Sequence, residues 1–212
     1  MTAFAKGRDI VPDVLLSPSA PSPQIMAMPL PSPIRVPTYT TDDLRRFPPD
    51  GQRYELLNGM LLVTPAPGTA HQVVLSRVQY SLSAYLAPAG LVFCTSPGEI
   101  EVEPSVLLDP DLLVYPSSYP PGTSWTRISG WWLAVEVSGR ASRIYDRDFK
   151  RDAYLALGVL EVWLVDLVDQ LVLVSRAGAP KDVPHRDELV WHPPEMPALL
   201  TIDLRTIFAG LG

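Results

Sequence analysis

Trp131-Trp-Leu-Ala-Val-Glu-Val137 is an apolar run interrupted by one acid. A run of that length and composition reads as a strand buried on both faces, as in a sheet covered by helices. Upstream, Asp109-Pro-Asp-Leu-Leu-Val-Tyr115 sets an acid at the mouth of another apolar strand. Downstream, Asp146 to Leu157 has helical spacing, with Phe149, Ala153 and Leu157 facing inward and Gly158 as its stop. Val159 to Val165 and Gln170 to Ser175 read as further strands, joined as a hairpin around Asp169.

Working toward the N-terminus, Leu91 to Thr95 and Glu99 to Glu103 are strand candidates. The second alternates acids with apolar residues, so Glu99, Glu101 and Glu103 read as a solvated face, with Glu99 in reach of a site. His71 to Leu86 is an amphipathic helix, because Val74, Val78, Leu82 and Leu86 recur every four residues. Asn58-Gly59 between apolar runs marks a hairpin, since both residues tolerate positive φ. Thr40-Thr-Asp-Asp43 has the hydroxyl and acids of a helix start. Leu199 to Leu204 reads as a last strand, with a helical turn at Thr206 to Phe208. The architecture expected is α/β: a central mixed sheet flanked by helices, with an N-terminal β-hairpin.

The 212 residues suit one domain with an extension. Eight prolines between Pro12 and Pro37 deny that stretch helix and sheet interior, so residues 1–38 read as an extended arm and residues 39–212 as the domain. Cys94 is the single cysteine, which excludes an internal disulfide or a zinc cluster built on cysteines and fits a reducing cytoplasm. No segment has the length and apolarity of a membrane span. The net charge of −6 argues against a strong nonspecific DNA binder. Arg140, Arg143, Arg147, Lys150 and Arg151 nevertheless make a local basic stretch able to guide phosphate.

Asp111 and Glu136 stand where an ionised carboxylate is costly unless a cation accompanies it. Magnesium accepts a few carboxylates together with waters and phosphate oxygens, and manganese is a possible substitute. Lys150, in the first turn of the helix after Glu136, is placed to swing toward the strand end and orient or activate a water. Glu55, in an apolar strand beside the hairpin, is a fourth candidate. Each has a plainer reading: Asp111 as a turn acid, Glu136 as half of a core ion pair, Lys150 and Glu55 as ordinary solvated residues.

As a set, Tyr54-Glu-Leu-Leu-Asn-Gly59, Pro65-Ala-Pro67, His71-Gln72, Asp109-Pro-Asp-Leu-Leu-Val114, Val135-Glu-Val137, Tyr145-Asp-Arg-Asp-Phe-Lys150 and Gly158-Val-Leu-Glu-Val-Trp-Leu-Val-Asp166 resemble the Uma-two family of restriction-endonuclease-like proteins, within the PD-(D/E)xK nuclease superfamily. The resemblance implies a restriction-endonuclease-like fold, with Asp111, Glu136, Lys150 and Glu55 as catalytic residues and Asp111 and Glu136 as metal ligands. It also implies magnesium as cofactor, DNA as partner and, by analogy with proteins that cut two strands, a homodimer. Ser138 occupies the place where the superfamily often has its lysine, and Lys150 takes that part from the helix. After the central acid this chain has Ser138-Gly-Arg-Ala-Ser142 where relatives usually have a leucine and then Ser-Pro-Ser/Thr.

The function expected is therefore metal-dependent hydrolysis of DNA phosphodiesters. The alternative is a catalytically silent binding or dimerisation module of the same fold, and a small-molecule hydrolase is a weaker third reading. His71 reads as a cap or hydrogen-bond partner. His185 and His192 lack metal spacing, and Trp131 and Trp132 read as one core and one rim residue.

Overall fold

The computed structural model describes residues 38–64, 66–140 and 142–211. The arm expected over residues 1–38 lies, Thr38 apart, outside the described residues. The apolar run at Trp131 becomes β7 (Leu133–Ser138), buried along its whole length. Its sheet contains β3 (Val92–Thr95), β6 (Leu112–Pro116), β8 (Glu161–Asp166), β9 (Leu171–Arg176) and β10 (Val183–His185), in the order β10-β9-β8-β7-β6-β3. β7 and β8 run parallel and the other neighbours antiparallel, which makes the sheet mixed, as expected. A parallel pair needs a crossover. Here it is a helical segment made of α3 (Arg143–Tyr145), a π turn (Asp146–Lys150) and α4 (Arg151–Ala156).

Strand alternation divides the core into two layers. Leu112, Val114, Leu133, Val135 and Val137 pack on one side with Val74, Val78, Leu82 and Leu86 of α2 (Thr69–Leu86). Leu113, Tyr115, Ala134, Val162 and Leu164 face the other way and pack with Tyr154. Each of the large apolar side chains contributes roughly 1.5–3 kcal/mol by leaving water. The same alternation sets Glu136 and Ser138 on the Ala134 face, toward the crossover.

The hairpin forms as expected from β1 (Arg53–Leu57) and β2 (Met60–Thr64), with Asn58 and Gly59 at φ 50° and 81°. It does not stand alone. It joins β4 (Ile100–Val102) and β5 (Val106–Leu108) in a four-stranded antiparallel sheet, β2-β1-β5-β4. Period two puts Arg53 and Glu55 on one face of β1. A short α1 (Thr41–Leu44) carries the expected cap: Thr40 and Asp43 bond each other's backbone N–H. At the C-terminus, β11 (Glu188–Trp191) pairs with β12 (Leu200–Asp203), and α5 (Leu204–Ile207) follows. No helix among the described residues is long and apolar enough to cross a membrane.

Four expectations need correction. The crossover helix begins at Arg143 rather than Asp146, and its π turn rotates the inward face, because each wide turn adds a residue to the repeat. Phe149 is therefore 39% exposed, while Asp146, Lys150 and Tyr154 point inward. Trp131 and Trp132 are both buried, one in each core layer, because the chain enters β7 already inside the sheet. Glu101 is buried against the Arg45 guanidinium, whereas Val102 is exposed, so that strand is not a solvated acidic face. The basic stretch is largely neutralised internally: Arg143 pairs with Asp166 and Asp169, and Arg147 and Arg151 with Asp182.

Candidate active site

β6 and β7 bring the two central acids together. Their register pairs Leu112 with Val135 and Leu113 with Ala134. One step further along the same register sets Asp111 opposite Glu136. Both acids line a single cavity of about 370 Å³, with Arg53, His71, Arg140, Asp146 and Lys150 also in its wall. Asp111 and Glu136 are 5% and 2% exposed.

Asp111 is held from three directions. Arg53 Nη1 donates to its Oδ1 at 2.9 Å. His71 Nε2 lies 3.0 Å from Oδ2, and the Val137 N–H donates to the same oxygen at 2.8 Å. Burial opposes its ionisation most strongly, yet His71, Arg53 and the Val137 amide together hold its carboxyl below the usual carboxylate range.

Glu136 accepts from the Tyr154 hydroxyl at 2.5 Å and from Lys150 Nζ at 3.2 Å, both on Oε1. Burial raises its pKa well above the ordinary value. Lys150 offsets part of that rise, and the charges of Asp111, Asp146 and Glu55 add to it.

Lys150 is 2% exposed, so the reading of it as a solvated helix lysine is overturned. Its ammonium lies 2.6 Å from Glu55 Oε2, 3.2 Å from Glu136 Oε1 and 3.7 Å from Asp146 Oδ1. Burial favours the neutral amine, but the three carboxylates outweigh it and raise the pKa. An amine so held is biased toward its protonated form. In that form it neutralises charge and donates hydrogen bonds. Glu55 is fully buried, and its other oxygen accepts the Asp109 N–H at 2.9 Å.

All four expected residues thus meet in one network, and four more belong to it. Asp146 accepts from Ser138 Oγ at 2.8 Å, so the serine two residues after Glu136 anchors the acid beside Lys150. Arg53, His71 and Tyr154 complete the ring around the acids. A second acid at four-residue spacing before Lys150 was the available signal for Asp146. His71 is a hydrogen-bond partner, as expected, but its partner is Asp111 itself. Nothing in the sequence singled out Arg53 or Tyr154. Glu99 lies outside the cavity wall; its charge, with that of Glu55, reaches Asp109. Of the arginines in the basic stretch, Arg140 alone lines the cavity.

Among the described residues no group of three or more His, Cys, Asp or Glu side chains is arranged as a ready cage for a metal ion. The donor set does fit a cation that keeps water and substrate oxygens as ligands. Four carboxyls, Glu55, Asp111, Glu136 and Asp146, face two permanent cations, Arg53 and Lys150. Carboxyls thus outnumber cations, and the raised Glu136 pKa reflects that crowding, which a further cation would relieve. Magnesium is commonly bound through one or two carboxylates in this way.

Comparison with known proteins agrees with this architecture. A crystal structure from Anabaena variabilis, described as "a putative nuclease belonging to DUF820", superposes with a TM-score of 0.66 at 17% identity, covering 82% of this chain and 99% of that one. The likeness is one of fold, the mixed sheet flanked by helices expected of a restriction-endonuclease-like domain. No curated protein matches the chain. The family model Uma2, described as "Putative restriction endonuclease", matches residues 41–205, and the chain belongs to that family.

Proposed function

We propose that this cavity hydrolyses phosphodiester bonds of DNA with the help of a divalent cation, magnesium or manganese. The observation that carries the reading is the meeting of Asp111 and Glu136, from adjacent strands, in one cavity wall beside the buried Lys150 ammonium. In this reading Asp111 and Glu136 hold the cation. A cation bound there would stabilise charge on phosphate oxygens and lower the pKa of a coordinated water. Lys150 supplies a fixed positive charge for the negative charge that grows on the phosphoryl group. Glu55 and Asp146 hold that ammonium in place, and Tyr154 fixes the Glu136 carboxylate. The proposal extends to pairing of two copies, which would let two sites address two strands and which sedimentation would reveal.

One observation favours a silent binding module: both oxygens of Asp111 already have partners in Arg53, His71 and the Val137 amide. The two readings separate on metal. A ligand of the native state raises the melting temperature as its concentration passes its Kd. The nuclease reading expects manganese to raise it for the wild type and not for Asp111→Asn, with DNA cleavage lost in the variant. Equal cleavage by both proteins, or a wild type indifferent to manganese and inert toward DNA, overturns it.

A further inference from the structure

Arg53 is anchored by only half of its guanidinium. Nη1 donates to Asp111 Oδ1, while Nη2 is buried with no hydrogen-bond partner among the described residues. A buried donor left unpaired costs roughly 1–3 kcal/mol, more on a charged group. A guanidinium serving only as counter-ion would lay both N–H edges along the carboxylate. That is closed to Arg53, because Asp111 Oδ2 is committed to His71 and the Val137 amide. The side chain forms part of the cavity wall, whose lining also holds Asp111, Glu136, Arg140 and Asp146, and the charges acting on its guanidinium are those of Glu136, Glu55 and Asp111.

The planar fork suits two oxygens at once, one from a carboxylate and one from a phosphate. We propose that Arg53 is a substrate-binding residue of this site, holding Asp111 with Nη1 and an oxygen of a nucleic-acid phosphate with Nη2. This rests on the nuclease reading and adds a phosphate-binding residue to it.

The test is binding of a nuclease-resistant phosphorothioate DNA duplex, followed by fluorescence anisotropy across a salt series, in manganese and in EDTA. Loss of one phosphate contact lowers the slope of log affinity against log salt by about 0.9. Arg53→Gln should show that fall and bind about tenfold more weakly at low salt, equally for duplexes of different sequence. Arg53→Lys keeps a counter-ion for Asp111 but lacks the second N–H edge, so its slope and affinity should fall as well; a fall in Arg53→Gln alone would assign the effect to the charge on Asp111 and overturn the inference. Arg53→Gln matching the wild type in both overturns the inference and leaves the nuclease reading standing. A wild type that binds the duplex in neither buffer overturns both. If neither variant folds, wild-type crystals soaked in inorganic phosphate decide: an oxygen within hydrogen-bond distance of Nη2 supports the assignment, and Nη2 still unpartnered overturns it.

Discussion

Lys150 and Glu55 meet at 2.6 Å, although one comes from the crossover between β7 and β8 and the other from the N-terminal hairpin. This pair ties the four-stranded sheet to the helical segment through the middle of the site. Removing the amine would leave Glu55, Glu136 and Asp146 buried without their shared cation. Lys150→Met is expected to cost about 3–5 kcal/mol in denaturant unfolding at pH 8. The loss should shrink near pH 4.5, where the stranded acids take up protons. Equal losses at both pH values would remove the charge explanation.

Tyr154 and Phe149 test the π turn. Tyr154→Phe deletes the hydroxyl on Glu136 and is expected to lower stability by about 1–3 kcal/mol. Phe149→Ser changes an exposed side chain and is expected to stay within about 0.5 kcal/mol. A regular helix with Phe149 inward would reverse the ranking, and chemical denaturation of the two variants reads it directly.

Much of this arrangement was legible in the sequence. The uninterrupted apolarity around Glu136, the Asn58-Gly59 turn and the four-residue spacing in α2 identify their elements, since each is a local signal with one dominant physical meaning. β5 was not legible: Val106 to Leu108 is too short for a period, and it sits between β4 and β1, the second far away in sequence. Lys150 was named as a site residue, but its protonation state depends on three acids gathered by tertiary contacts. Arg53 gave no signal at all, because an arginine opening a strand looks like any solvated strand end.

Asp109 supplies a pH test. Burial, with the nearby charge of Glu55, pushes its carboxyl from the usual 3.8 up to about 7. An acid raised in the folded state keeps a proton that the unfolded chain has released. Stability in EDTA should therefore fall as pH rises from about 4 to 7 and level off above. Asp109→Asn should flatten that decline. Thermal melts across the range check it, and an unchanged slope in the variant counts against the assignment.

Gly59 tests the hairpin. At φ 81° a side chain there is strained, and a Cβ would come within 3.3 Å of the Thr38 Cβ. Gly59→Ala is expected to cost about 1–2 kcal/mol, and because β1 carries both Arg53 and Glu55, DNA affinity measured by anisotropy should fall with it.

Ser138, two residues after Glu136, ends β7 by donating to Asp146, and the amine that meets Glu136 arrives from the turn that follows. A search template written as consecutive letters, acid and then lysine two places on, would discard this molecule. A template written as a separation in space, 3.2 Å between an ammonium nitrogen and a strand carboxylate oxygen, would retain it. Collecting proteins by that interatomic criterion would gather sequences whose letters have drifted apart while their charges still meet.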